Sequence, residues 1–208
     1  MKRAILLLIF FISIDTANAR FSDNHAIYLS SELNFGNYVG VDFNLNYVYQ
    51  ELYALKIGYS GNVSPASSTP EDYSPGLIGF LILGLGGPFD YLSNYQITVG
   101  KIFKINVKGT TRANISVGLG YTTINEPTNY QATGDGIIGS NYRWEHHKYN
   151  TVSLIINPKI EFATSTIFGP TITGMIQINK DRVFYGLGIG LMLGVLRKEL
   201  VKPWHIRK

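Results

Sequence analysis

The segment from Val183 to Val195 alternates large apolar residues with small ones over thirteen positions. The odd positions are all large and apolar, and the even positions are glycine except for Phe184 and Met192. Successive side chains of a β-strand point to opposite faces, so this period of two predicts a strand. At about 3.3 Å per residue, nine to eleven tilted residues cross a bilayer core. The segment therefore predicts the closing strand of a membrane barrel.

The composition supports a chain whose surface mostly avoids water. Only 15% of the 208 residues are charged, against about 25% in ordinary soluble domains, and the length suits one domain. There is no cysteine, which leaves neither a disulfide framework nor a thiolate metal site. The net charge of +4 is not gathered in an interior basic run, so nucleic-acid binding is not expected.

The first nineteen residues have the organisation of a secretory signal peptide. Lys2 and Arg3 precede the eleven apolar residues 4–14, and Ala17-Asn18-Ala19 matches the small-residue cleavage pattern. Eleven residues are too few to span a bilayer as a helix. We expect cleavage after Ala19, a barrel over residues 20–197 and a basic periplasmic tail over residues 198–208.

Seven further segments alternate like the closing strand. They are residues 27–35, 39–49, 53–60, 95–107, 112–122, 151–162 and 167–178. The connections at 50–51, 108–111 and 163–166 are short, whereas those at 61–94 and 125–148 are long. With the N-terminus in the periplasm, both long loops face outward, as in outer-membrane barrels. The predicted fold is all-β, an eight-stranded antiparallel closed up-and-down transmembrane barrel with both termini periplasmic.

Two features of the sequence are compatible with more than one structure. Residues 76–87 are apolar and glycine-rich without clean alternation, so they fit a strand extension, a loop dipping into lipid, or an extra strand of a ten-stranded barrel. Lys101 falls on the apolar face of the fourth strand, where a mid-bilayer charge costs about 2–4 kcal/mol. A bulge near Gly100 or a shifted strand centre would relieve that conflict.

Alternation alone does not decide which face is outside, because a soluble lipocalin-like lipid carrier points its apolar side chains inward. The polar face here is mostly Gly, Ser, Thr and Asn, which suits a crowded lumen better than a water-facing surface. Tyrosines gather near strand ends, as at a headgroup boundary. We therefore expect the apolar face to contact lipid.

The last third of the chain also resembles a known family. Asn150-Thr-Val, Gly169, Asn179-Lys, Gly186-Leu-Gly-Ile-Gly and Gly194-Val-Leu-Arg197 resemble a family of small outer-membrane β-barrel proteins of Gram-negative bacteria. The mature chain is similar in architecture to OmpX-type and OmpA transmembrane-type barrels. Such chains usually end on an aromatic residue that marks them for barrel assembly, whereas a twelve-residue basic tail follows Leu196 here. The resemblance implies outer-membrane lipids and the barrel-assembly machinery as partners.

Seven charged residues fall on the polar face and are candidates for a lumen charge network. They are Glu32, Asp42, Lys56, Lys104, Arg112, Lys159 and Glu161. An eight-stranded barrel has a packed interior, and buried charges there must pair. A structural network of ion pairs is the main interpretation, and a narrow path for ions or protons is the alternative.

No catalytic, cofactor-binding or metal site is expected. His146 and His147 are adjacent, so on an extended chain they point opposite ways and chelate poorly. Lipid-modifying outer-membrane deacylases carry an H-x-S pattern that is missing here, although Ser153 lies on the polar face six residues after His147. The leading hypothesis is a non-enzymatic surface protein whose loops 61–94 and 125–148 contact host, matrix or neighbouring proteins, or which serves envelope integrity. A lipid-modifying enzyme and a soluble lipid carrier are the alternatives.

Overall fold

The computed structural model describes residues 25–81, 86–134 and 136–197, so the predicted leader and basic tail lie outside the described residues. The described chain forms eight antiparallel strands in sequential order that close into a barrel, which confirms the predicted fold class. The strands are β1 Ala26–Gly36, β2 Val39–Tyr49, β3 Tyr53–Pro65, β4 Phe89–Lys104, β5 Thr111–Ala132, β6 Tyr142–Phe162, β7 Phe168–Ile178 and β8 Val183–Val195.

The barrel closes along the seam between its first and last strands. β1 pairs with β8 without a register shift, from Ile27 opposite Val195 to Gly36 opposite Gly186. Asn37 extends the seam beyond the end of β1, because its amide donates to the Val183 carbonyl and accepts from the Tyr185 backbone N–H. Closure removes the free strand edges and pairs the backbone polar groups within the sheet, which is what a strand needs in order to survive in hydrocarbon.

The two faces of this single sheet have opposite polarity. The outward positions are large apolar side chains, and those of β8 between Val183 and Leu193 are all at least half exposed. The inward positions are mostly buried Ser, Thr, Asn, Gln and charged side chains. This is the arrangement expected for a barrel with lipid outside, and it is the reverse of a carrier with an apolar cavity.

The glycines of β8 make room for the large lumen side chains of β1. In register, Gly188 lies opposite Asn34, Gly190 opposite Glu32 and Gly194 opposite Tyr28. All three β1 side chains are fully or almost fully buried. The small face of β8 is therefore the space that β1 fills, in the alternation of small and large residues typical of narrow barrels.

The structure corrects the limits of several strands. β4 begins at Phe89 and ends at Lys104, so Lys101 lies near the end of its strand, and both ladders of β4 run past Gly100 without a bulge. The shifted strand centre, not a bulge, resolves the conflict at Lys101. The apolar residues Ile105 and Val107 belong to the turn between β4 and β5, not to β4.

The predicted loop 125–148 is mostly a β-hairpin. β5 and β6 continue together to Ala132 and Tyr142, with one irregularity between Thr128 and Gln131. In the other predicted loop, β3 extends to Pro65 and a six-residue helix, α1, spans Gly76–Leu81. The described part of residues 76–87 contains no strand, so the barrel has eight strands and not ten. Among the residues described, no helix is long and apolar enough to cross a bilayer.

The packing of β8 against β1 predicts the effect of adding one methyl group in the lumen. A Cβ on Gly190 would lie 2.3 Å from the Ser31 carbonyl oxygen and 2.6 Å from Cγ of Glu32. We expect Gly190→Ala to lower the free energy of unfolding in urea by about 1–3 kcal/mol, the usual cost of overpacking. Gly61→Ala is the control, because a Cβ there meets its nearest atom, in the Tyr59 side chain, at an ordinary 3.5 Å. Equal stability of the two variants would contradict the argument.

Candidate functional site

The barrel lumen brings together six of the seven charged residues singled out in the sequence. Glu32, Asp42, Lys56, Arg112, Lys159 and Glu161 are all buried, with three formal charges of each sign. Lys104 is not among them. Its side chain is 50% exposed at the end of β4 and forms an ion pair with Glu51 in the turn between β2 and β3.

One half of the lumen network is centred on Glu161. Arg112, its cross-strand neighbour, donates from Nε to Glu161 Oε2 at 2.5 Å. Tyr28 and Asn114 donate to the other carboxylate oxygen at 2.7 and 3.1 Å. Arg112 also donates to the Leu196 carbonyl and stacks over the Tyr28 ring. The carboxylate is therefore satisfied by one cation and two neutral donors, the condition under which a buried charge is tolerated.

The other half of the network joins opposite walls of the barrel. Lys159 of β6 donates to Glu32 Oε1 of β1 at 2.6 Å, and Asn44 donates to the other Glu32 oxygen at 2.9 Å. Lys56 of β3 donates to Asn157 Oδ1 of β6 at 2.5 Å. The two lysine contacts link strands that are not neighbours in the sheet, so these side chains fill the lumen instead of lining it.

Two apolar layers bound the polar network. One lies at the end of the barrel where β1 begins, and it contains Ala26, Tyr28, Val48, Ala54, Ile102, Ala163, Met192 and Leu196. The other lies toward the opposite end, and it contains Tyr38, Leu92, Ile124, Ile155, Met175 and Phe184. Phe184 and Met192 are the two exceptions to the glycine pattern of β8, and each contributes to one layer. The lumen therefore has a filled cross-section at both ends and does not form an open aqueous pore.

The residues considered for catalysis do not form a site. Ser153 is buried in the lumen, where its hydroxyl contacts Thr122 at 2.6 Å and accepts hydrogen bonds from Gln177 and Asn179. His146 and His147 are exposed on the β5–β6 hairpin, where their rings contact Tyr91 and Tyr149 respectively. Among the described residues, no cluster of three or more His, Cys, Asp or Glu is arranged to hold a metal ion.

The end of the barrel from which the β5–β6 hairpin extends contains a cluster that the sequence did not reveal. Arg182, in the turn between β7 and β8, donates to Glu126 of β5 at 2.8 Å and pairs with Asp90 of β4 at 3.2 Å. Its other terminal nitrogen donates to Ser67 Oγ at 3.5 Å. The arginine thus ties the last turn to two strands and to the segment after β3. Each partner falls in one of the two long connections predicted at 61–94 and 125–148, where no local pattern marked it.

The hairpin of β5 and β6 beyond the mouth is held by aromatic side chains. The Trp144 ring lies 6.1 Å from the Tyr73 ring and 6.2 Å from the Tyr130 ring, measured between centroids. Tyr142 donates its hydroxyl to the Asp72 carboxylate, and this hydrogen bond raises the pKa of the Tyr142 phenol above its ordinary value. These contacts fasten the segment between β3 and β4 to the hairpin, so the two regions form one structural unit.

The comparisons with known proteins return small outer-membrane barrels, the class that the sequence resembles. Ail, the attachment invasion locus protein of Yersinia pestis, is 10% identical, with 83% of this chain and 99% of that chain covered and a TM-score of 0.49. The N-terminal β-barrel domain of Pseudomonas aeruginosa OprF is also 10% identical, with 83% and 97% covered and a TM-score of 0.48. Ail in a phospholipid bilayer nanodisc is 13% identical, with 83% and 99% covered and a TM-score of 0.45. No protein-family model matches the chain, and no curated protein matches it.

The lumen network predicts a large difference between a buried and an exposed ion pair. We expect Lys159→Met to lower the free energy of unfolding in urea by about 3–5 kcal/mol, because it leaves the buried Glu32 carboxylate without its cation. The double variant Glu32→Gln with Lys159→Met is expected to recover most of that loss. Lys104→Met is the control and is expected to cost less than about 1 kcal/mol, because its pair with Glu51 is solvent-exposed. A similar loss for both lysines would contradict the buried network.

Proposed function

We propose that this chain is a non-enzymatic integral protein of the outer membrane that acts through its outer hairpin and loops. The observation that carries the proposal is the inverted polarity of the barrel, with large apolar side chains outside and hydrogen-bonded polar side chains inside. In water such a surface would expose far more contiguous apolar area than monomeric soluble proteins tolerate. In a bilayer the same surface is solvated by acyl chains.

The closed lumen supports a role outside the barrel instead of transport through it. Three cations and three anions are buried in the lumen, and apolar layers bound them at both ends. By contrast, the segment between β3 and β4 and the β5–β6 hairpin, together the outer unit, extend beyond the barrel wall. We therefore assign the contact with host, matrix or neighbouring proteins to the segment between β3 and β4 and to the hairpin of β5 and β6.

The arrangement of Ser153 favours a non-enzymatic protein over a lipid-modifying hydrolase. A serine nucleophile needs a base within hydrogen-bond reach, whereas this hydroxyl contacts a hydroxyl and two amide groups. The polar lumen likewise disfavours a soluble carrier, which needs an apolar cavity for a lipid chain.

Epitope tags at the two ends of the barrel test the location and the orientation together. A tag after Gly134, at the tip of the outer hairpin, is expected to bind antibody on intact cells. A tag after Gly109, in the turn between β4 and β5 at the other end, is expected to bind only after the outer membrane is permeabilised. Labelling in the reverse order would contradict the orientation, and release of the protein in the soluble fraction without detergent would contradict the membrane location.

Charge placement on the outer face gives a quantitative test of lipid contact. Ile97 is half exposed near the middle of the barrel wall, between Ile57 and Leu119 in register, and Val107 is fully exposed in the turn at one end. In lipid vesicles we expect Ile97→Lys to lower the free energy of unfolding by about 2–4 kcal/mol and Val107→Lys by about 0–1 kcal/mol. A negligible cost at Ile97 would show that water, not acyl chains, surrounds the wall.

A further inference from the structure

The end of the outer unit farthest from the barrel is an exposed apolar surface. Six large side chains from α1 and from the tip of the hairpin compose it, and each is between 53% and 79% exposed. This surface, the apolar tip, consists of Leu77, Ile78, Phe80, Leu81, Ile137 and Ile138. The Leu77 and Ile78 backbone N–H groups donate to the Ile137 and Ile138 carbonyls at 3.0 Å, so the two segments form one patch.

The chemistry of the apolar tip matches hydrocarbon better than a protein surface. Residues 76–87 contain no polar side chain at all, only Gly, Leu, Ile and Phe. A protein interface has about one hydrogen bond per 100–200 Å² and is rich in Tyr, Trp and Arg at its centre. The residues of the tip offer no side-chain donor or acceptor. In addition, the hydrogen bonds between α1 and the hairpin satisfy backbone groups that would otherwise have to be solvated.

Three aromatic side chains lie directly below the apolar tip. Tyr73 precedes α1 by three residues, and its ring contacts Trp144, which in turn contacts Tyr130. Tyr and Trp favour the boundary between headgroups and acyl chains. A segment that enters a bilayer from water places its apolar end among the acyl chains and its Tyr and Trp side chains among the headgroups. The apolar tip and the three aromatic side chains below it follow this order.

The barrel's own bilayer is too far away to receive the tip. Tyr91 of β4 is an outward-facing aromatic at the outer end of the apolar wall, and it lies opposite Asn125 of β5. β5 continues for seven residues past Asn125, which is about 23 Å along the strand at about 3.3 Å per residue. With a tilt of about 35–45°, the end of β5 stands roughly 16–19 Å above Tyr91, and the tip lies beyond the end of β5.

From these observations we propose that the apolar tip inserts into a second lipid bilayer that faces the membrane holding the barrel. This inference rests on the proposed function, because only a barrel anchored in its own membrane presents the tip to another surface. The contact is apolar, so it needs no anionic lipid and is insensitive to salt.

Quenching by brominated lipid distinguishes the two bilayers. The chain has two tryptophans, Trp144 and Trp204, so Trp204→Phe leaves a single reporter below the tip. The protein is placed in nanodiscs of ordinary phosphatidylcholine, and vesicles of brominated phosphatidylcholine are added. We expect quenching of Trp144 that persists at about 1 M NaCl, where the Debye length is about 3 Å. Absence of quenching by the vesicles would overturn the proposal, as would quenching only when the brominated lipid is in the nanodisc.

Two matched variants test whether the residues of the apolar tip make the contact with the vesicle. Ile78→Asp with Phe80→Asp is expected to raise the vesicle concentration for half-maximal quenching at least about tenfold, because two buried apolar side chains are lost. Val107→Asp replaces an exposed apolar residue at the other end and is expected to change nothing. Equal quenching of the tip variant and the control would overturn the assignment of the tip. Pairing of nanodiscs without vesicles, abolished by the tip variant, would also overturn it, since the occupant would then be a second copy.

Heat-dependent mobility on gels separates failure of this inference from failure of the proposed function. A folded barrel migrates differently before and after boiling. If the mobility shift is intact and vesicle quenching is absent, only the bilayer contact is refuted. If the shift is absent in the unmodified protein, the membrane barrel itself is refuted.

Discussion

The narrow lumen of an eight-stranded barrel is the constraint on which the rest of this structure depends. Only enough space remains inside for side chains to interdigitate, so a large residue on one strand requires a small one beside it. Glu32 and Asn34 therefore lie against Gly190 and Gly188 of the closing strand. The same confinement excludes bulk water from the charged groups, and each cation must then find an anion or an amide, as Lys159 finds Glu32.

Closure also determines what the two surfaces of the sheet can be. Once β1 and β8 pair, the wall has no free edge, and its outer face can be apolar without exposing unpaired backbone to lipid. The interior is then filled by a polar network, and two apolar layers, which include Phe184 and Met192, bound this network. A barrel built in this way is a rigid anchor. The aromatic contacts of Trp144 and the ion pairs of Arg182 hold together the segment between β3 and β4, the β5–β6 hairpin and the last turn.

The prediction from sequence was accurate where one face of a strand meets a different medium from the other. Alternation located all eight strands and distinguished the lumen face by its glycines. It failed beyond the barrel wall, because both faces of the β5–β6 hairpin meet water there and no alternation is required. Lys101 and Lys104 show the same limit. Alternation predicted the face of β4 on which each lysine lies. It did not predict that both lie near the end of the strand, because β4 spans Phe89–Lys104.

By itself, the sequence determined which segments form strands and which side chains share a face of a strand, because these follow from a local period of two. Only the tertiary structure decided which charges meet. Arg112 and Glu161 are neighbours through the register of β5 and β6, whereas Glu32 and Lys159 meet across the lumen from strands that do not pair. Such contacts depend on the register and tilt that closure imposes on all eight strands together. No local pattern encodes them, because the distance across a barrel is a property of the whole ring.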